Sequence, residues 1–470
     1  VACRVAAVAV DPTSGCAWSL LGQSLLAAGD VDRARAVCEH GRDLPPPHVD
    51  HILNLGNARF AAGDLDGALA AFELALEADP EFSEAATNQA HALLEAGQAE
   101  RALQVIEDVL AVQANLETAH QIRARALSAL GRRADAEAAL RDALVRLPKG
   151  ARLYQTLGEM LGKRGDEAGV LDVLARGIDA CPDAFALHFN RGNHLLEAER
   201  YEEALAAFSR AVELRNDDAD AWNNRGLALR GLGRMAEAAE ALRTAVALDP
   251  MYVAAISNLG GTLDDLNDLD AAIDAYLWAV ELDPEFDEAW HSLGVTYMKQ
   301  GRAEESIRAF ERSAAIDPES AITIYLIGVV HCDIRRDFDA AIERFREAIA
   351  IDPAPAFFYI AQALAHRRKG DPLGAIPVLE EATRRNPKSV RAWSDLGGVC
   401  FELERYDESI AAYERILAFA PQHVPSRVML VRLLADCPDE SIRRPDDAVK
   451  HSTQVCEAAA DQPPAWVFHA

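Results

Sequence analysis

Residues Asp287 to Ser320 read DEAWHSLGVTYMKQGRAEESIRAFERSAAIDPES, and a phrase of the same 34-residue length returns on both sides of them. Trp290, Leu293, Gly294 and Tyr297 stand at i, i+3, i+4 and i+7, the spacing that puts four residues on one stripe of an α-helix. Gly301 marks a turn. Ser306, Phe310 and Ser313 repeat the spacing on a second helix, and Asp317-Pro318 ends it, because proline has no amide hydrogen to donate and cannot continue the ladder. A hairpin with one apolar stripe on each helix cannot bury both stripes alone, so it needs neighbours.

Those neighbours are legible. Units begin at Gly15, Val49, Ser83, Glu117, Ala151, Phe185, Ala219, Val253 and Asp287, each 34 residues after the last and without gaps. The anchors drift but keep their size: Trp18, Leu21 and Gly22, then Ile52, Leu55 and Gly56, then Trp222 and Gly226. Ala34, Ala68, Ala102, Ala136, Ala204, Ala238 and Ala272 recur where the second helix crosses the first. Close approach there excludes larger side chains, and overpacking such a contact costs about 1–3 kcal/mol. After Ser320 one residue is added near Ile334 to Asp337, which puts the next unit at Ile322, with Phe345 and Asp352-Pro353 restoring the register. Units at Ala356 and Val390 follow. From Val424 about five extra residues, within Cys437–Glu440 and Arg443–Pro445, separate the two helices before Ala448 resumes the second. The expected organisation is the end of a repeat over 1–14, nine units over 15–320, three over 321–423, a widened unit over 424–462 and the start of another over 463–470. Both ends fall inside a unit and position 1 is not Met, so the sequence reads as a piece of a longer protein.

The period, the Trp290-x2-Leu293-Gly294-x2-Tyr297 phrase and second helices such as Ala68-x3-Phe72 followed by Pro80 resemble the tetratricopeptide repeat. The resemblance covers nearly the whole chain. It implies an all-α fold, a right-handed α-solenoid or superhelix of stacked antiparallel helix pairs, with the first helices lining a concave surface that binds proteins or peptides. The widened stretch from Leu433 to Ala459 is similar to that of long bacterial arrays, some of which follow a Ser/Thr protein kinase domain.

Composition narrows the function. A chain of 470 residues outgrows one compact core, and a net charge of −28 argues against general nucleic-acid binding, which needs a basic surface. No long apolar run suggests membrane insertion. The eight cysteines form no Cys-x-x-Cys pair, which favours reducing, cytoplasmic surroundings. His48 with His51, and His188 with His194, lack partners at metal-ligand spacing, and His188 takes the place of Trp290 as a core residue. Gly260-Gly261 and Gly397-Gly398 lack the context of a phosphate loop, and neither a Gly-x-Ser-x-Gly nor a kinase signature occurs. No catalytic residue, metal or cofactor is therefore implied within these residues.

The binding surface is read from the second, sixth, ninth and thirteenth places of each unit, a stripe of the first helix distinct from its buried one. Asn54, Asn88, Asn190, Asn224 and Asn258 take the sixth place, and Asn57 and Asn193 the ninth. This row resembles the asparagine ladder in the repeats of the O-linked N-acetylglucosamine transferases, which implies pairing with the main chain of an extended peptide. Leu20, Ile122, Ile327, Ala361 and Met429 interrupt it, and the plain alternative is bonding to neighbouring helices or water. The clamp that grips chaperone tails needs a lysine at the fifth place, and none stands there. Arg152, Lys163, Arg368 and Arg391 lie on the stripe within two basic stretches, and are expected to select an acidic or phosphorylated segment. Ordinary surface charge, with Glu159 and Lys163 as an i,i+4 pair, is the competing reading. The expected function is a non-catalytic scaffold that binds extended segments or partner helices. The alternative is the substrate-recruiting region of an O-GlcNAc-type glycosyltransferase or a bacterial Ser/Thr kinase. A third reading, self-association through exposed Trp466 and Phe468, would follow from the ends alone.

Overall fold

The computed structural model describes residues 2–11, 14–42 and 49–460, so His48, Trp466, Phe468 and the repeat start over 463–470 lie outside the described residues. The chain is all-α: its described residues form 27 α-helices, one π-turn and one 3-10 turn, and no strand. It divides into two compact units, Val1–Gly233 and Arg234–Ala470. In each, successive helices stack as hairpins on their neighbours, which makes an α-solenoid. First helices begin at Gly15, Val49, Ser83, Glu117, Ala151, Phe185 and Ala219 in the first unit, and at Val253, Asp287, Ala321, Ala356, Val390 and Val424 in the second.

The hairpin spacing is fixed at one crossing. The eighth residue of the first helix faces the ring sixteen residues on: a Cβ on Gly294 would lie 2.6 Å from Phe310, and one on Gly192 would lie 2.6 Å from Phe208. Where the eighth residue is Ala90 or Ala124, the partner is the aliphatic Ile106 or Leu140, and all four are buried. Ser306 and Ser409, fully buried at places where other units have alanine, donate to the carbonyls of Gly294 and Gly397 at 2.7 Å. The crossing therefore tolerates a hydroxyl when its hydrogen bond is made.

A second recurring bond ties several of the first helices to the turn before them. At the fourth place, Trp222 and Trp290 donate through Nε1 to the carbonyls of Asn216 and Pro284 at 3.0 Å, and Tyr359 donates to Pro353 at 3.1 Å. His188 Nε2 meets the Pro182 carbonyl at 2.9 Å in the same way, which makes it a packing residue. Trp, Tyr and His alternate here because each offers a flat apolar body with a donor at its tip.

The turn inside each hairpin before the widened unit holds a left-handed residue. Gly301 (φ 73°) closes it with Arg302 N–H bonded to the Tyr297 carbonyl at 3.0 Å, a Schellman arrangement. Glu199, Asn267, Arg336 and Glu404 adopt the same conformation with side chains that disfavour it.

The added residue near Asp337 is absorbed differently from the sequence reading. The helix starts at Ala321, in the register of the preceding units, and the extra residue widens its last turn into a π-turn over His331–Arg335. Gly328 consequently faces Phe345, one residue later than the usual spacing. Leu326 therefore takes the sixth place, while Ile327 is 2% exposed and belongs to the core. In the widened unit, the extra residues form a 3-10 turn, Glu440–Ile442, that folds back. Ile442 enters the core beside Leu430, Leu434 and Ala448, and Arg443 Nε bonds the Cys437 carbonyl at 2.8 Å.

Two predictions follow from the packing. Gly294→Ala will destabilise the protein by about 1–2 kcal/mol despite alanine's better helix propensity, and the cycle with Phe310→Leu will show a favourable coupling of similar size in urea unfolding. Gly158→Ala, whose Cβ would meet Leu174 at an ordinary 3.5 Å, is the neutral control. Glu404→Gly will raise stability by about 0.5–1 kcal/mol by removing the left-handed penalty, and an unchanged unfolding midpoint would refute this.

Candidate functional site

Within the first unit, first helices of neighbouring pairs also touch one another, as Glu117–Ala129 touches both Ser83–Glu95 and Ala151–Gly162. Two clefts open across these three helices. One, of ≈ 720 Å³, is lined by Asn88, His91, Thr118, Gln121, Arg125 and Arg152 among others. The other, of ≈ 530 Å³, includes Glu95, Arg125, Thr156, Glu159 and Lys163. The stripe residues of adjacent helices thus share one polar surface.

The asparagines do not behave alike. Asn54 is 2% exposed and donates to Ser19 Oγ at 2.6 Å, so it packs two units together and offers no surface to a ligand. Asn88 and Asn224 are half-buried, and each donates from Nδ2 to the Oδ1 of Asn57 and Asn193 at 2.9 Å. Each bond joins the sixth place of one unit to the ninth of the unit before. Asn57 Nδ2 and Asn88 Oδ1 are left without a partner among the described residues, while Asn224 Oδ1 also accepts from Asn223 at 2.9 Å. Asn190 is half-buried on the helix that carries Asn193. Asn258 belongs to the second unit, where its carbonyl accepts from Thr262 Oγ1 at 2.8 Å.

Of the four basic candidates, Arg152 and Lys163 belong to the first unit and Arg368 and Arg391 to the second. Arg152 and Lys163 are exposed on one helix, and neither side chain has an ionic partner among the described residues. Glu159 accepts from Gln155 Nε2 at 3.1 Å and does not pair with Lys163, which corrects the expected i,i+4 contact. Arg368 is taken up by Asp333 and Cys332 Sγ beside the π-turn, and Arg391 Nε bonds Asp395 at 2.9 Å.

Cross-helix contacts unseen in the sequence complete the surface. Arg125 bonds Glu95 at 2.8 Å and the His91 ring at 3.2 Å, and Gln121 donates to Thr156 at 3.0 Å. In the second unit His291 meets Thr323 at 3.2 Å, and Lys299 pairs with Asp264. The available signal was a polar residue recurring 30 to 35 positions later on the same face. Among the described residues, no three His, Cys, Asp or Glu side chains gather to hold a metal ion, and no helix is long and apolar enough to cross a membrane.

Two profiles described as Tetratricopeptide repeat match residues 189–252, 258–321 and 360–424, and residues 59–126, together more than half the chain. The chain is a tetratricopeptide repeat protein. It is 31% identical over 88 residues to the small glutamine-rich tetratricopeptide repeat-containing protein 2 of Mycosarcoma maydis, over 19% of this chain and 25% of that protein. It is 34% identical over 106 residues to the protein SGT1 homolog of Oryza sativa subsp. japonica, over 23% of this chain and 28% of that protein. The chain thus spans about a quarter of the length of these curated relatives. Among solved structures it is similar to MamA, with 24% identity and a TM-score of 0.34 over 35% of this chain and 96% of that one. It is also similar to yeast Tom70, with 16% identity and a TM-score of 0.38 over 95% of this chain and 96% of that one.

Two histidines on the first-helix faces of the tetratricopeptide units titrate low. Burial, and after it Arg125, lower the His91 pKa, and burial lowers that of His291. In the unfolded chain both take up protons near pH 6.5, before the folded protein does, so the stability they contribute is complete above that pH and is lost as the pH falls below it. The urea midpoint will therefore drop between pH 7.5 and 5.5, and the drop will be smaller in the His91→Gln/His291→Gln variant. An equal drop in that variant would exclude these two groups as its source.

Proposed function

We propose that this tetratricopeptide repeat protein is an interaction scaffold that holds an extended segment of a partner protein along the first-helix face of its first unit. The observation that carries the reading is the pair of cross-helix asparagine bonds, Asn57 with Asn88 and Asn193 with Asn224. Each bond fixes two amides and spends only part of their capacity, so donors and acceptors remain at set positions along the face. That arrangement suits a peptide main chain, which offers both kinds of group whatever its side chains. Arg152 and Lys163, exposed and without ionic partners among the described residues, add a preference for acidic or phosphorylated side chains. Affinity would be the sum of many modest contacts over neighbouring repeats.

The likeness of the asparagine row to that of the O-linked N-acetylglucosamine transferases favours a second reading, in which the repeats recruit substrates for a catalytic domain of that kind. The widened unit supports the kinase version of the same idea. In both, the first-helix face does the recruiting, and the full reading frame distinguishes them.

A photo-crosslinking residue placed at Thr118, on the cleft, will capture a partner that the same residue at Val112, 79% exposed on a second helix, does not. The Asn57→Ala/Asn193→Ala variant will reduce that capture about five- to tenfold, the loss of one to two modest hydrogen bonds. Arg152→Glu/Lys163→Glu will reduce it further at low salt. Equal capture from both positions would overturn the assignment of the face, and indifference to charge reversal would remove the acidic preference alone.

A further inference from the structure

We infer that the first-helix face of the second unit is a docking groove for an amphipathic α-helix of a partner, one with apolar residues seven positions apart and opposite charges at its two ends. The inference rests on the reading of the chain as an interaction scaffold, but on a different surface and different residues. The second places of four successive first helices are Glu288, Ile322, Phe357 and Arg391. The two central ones are large apolar side chains left 44% and 47% exposed. On the described first helices of the first unit only Leu20, at a sixth place and 47% exposed, is a large hydrophobic exposed to that degree, and the next first helix, Val49–Ala61, has none beside it.

These rows are neighbours. His291 bonds Thr323, the Phe357 ring packs edge-on to Tyr325 at 5.2 Å, and Arg367 pairs with Glu402, so each helix of the four is linked to the next. The apolar character crosses the groove as well as running along it. On the Ala321 helix, Ile322 is followed by half-buried Leu326 and Val329, and on the Ala356 helix Phe357 is followed by half-buried Ala361 and Leu364. From the second to the ninth place is seven residues, or about 10 Å at the helical rise, close to the diameter of an α-helix and about twice the width of an extended strand.

The spacing along the groove agrees. Packed helices lie about 10 Å apart, and residues seven apart on a docked helix rise about 10.5 Å, so one apolar residue per two turns meets each row. The ends are complementary in charge. Glu288 is exposed with no partner among the described residues, and Arg391, its side chain 68% exposed, uses only Nε on Asp395. A docked helix spanning four rows therefore presents a basic residue to Glu288 and an acidic one to Arg391.

The probe is a fluorescein-labelled 22-residue helical peptide with Lys at its first position, Leu at 4, 8, 11, 15 and 18, and Glu at its last, titrated with the full chain by anisotropy. Saturable binding is expected. Phe357→Asp and Ile322→Asp will each weaken it at least tenfold, while Phe357→Leu will retain it, and circular dichroism will confirm that all variants stay folded. A peptide with Glu at both ends will bind about fivefold more weakly, and Glu288→Lys will restore it. Unchanged affinity in Phe357→Asp, no saturable binding, or equal affinity for a proline-containing extended peptide of the same composition would each overturn the inference. Asn57→Ala/Asn193→Ala will leave the peptide's affinity unchanged. Loss of peptide docking with persistent capture at Thr118 would therefore refute this groove alone, and the converse would refute the first-unit reading alone.

Discussion

The closest approach between the two helices of a hairpin limits what every other residue can be. At that crossing, glycine in the first helix is required wherever an aromatic ring of the second lies across it, as Gly294 lies under Phe310 and Gly328 under Phe345. Alanine serves where the partner is the smaller Ile106 or Leu140. The two residues at the crossing limit each other, so no ring of the second helix lies across a side chain larger than hydrogen at Gly294 or Gly328, as a close-packed interior demands. Because the crossing sets the separation, it also sets where the exposed stripe of each first helix falls.

The hydrogen bond from the fourth residue to the carbonyl six positions earlier has a complementary role. It joins a first helix to the turn that ends the preceding second helix, so it fixes the stacking of units as the crossing fixes the pairing of helices. Its chemical requirement is a donor on a flat apolar body, and Trp290, Tyr359 and His188 all meet it. The buried cysteines fit the same apolar setting. Burial, with Glu39 adding to it, pushes the Cys38 thiol up to about 12, and burial pushes Cys400 up to about 11, so both act as small apolar groups.

The fold was legible because packing repeats: the same crossing and the same turn recur often enough for a single sequence to display them. The π-turn was legible only in part. Phe345 showed that one residue had been added, but the sequence does not say whether a helix start or a helix interior absorbs it, and the structure chose the interior at His331–Arg335. The binding face was less legible for a different reason. Whether an asparagine is available depends on its neighbour in the adjacent unit, so Asn54 is lost to Ser19 while Asn88 keeps part of its capacity through Asn57. Charge behaves likewise: Arg368 and Lys163 look equivalent in the repeat, yet one is claimed by Asp333 beside the π-turn and the other is not.

That difference between packing and surface explains how one repeat supports two kinds of face. The crossing and the fourth-place bond draw on the buried side of each helix and themselves make no demand on the second, sixth, ninth and thirteenth places, though Asn54 shows that packing can still claim one of them. In the first unit many of these places hold amides and charges that bond across helices, as Asn57 with Asn88 and Arg125 with Glu95 do, and the surface they share is polar. Around Ile322 and Phe357 in the second they hold apolar side chains whose exposure contributes nothing to the array's own packing. Exposed apolar area costs a soluble chain in solubility, and a net charge of −28 offsets that cost over the rest of the surface. Apolar area that packing leaves exposed and solubility disfavours requires another explanation, and contact with a partner supplies one.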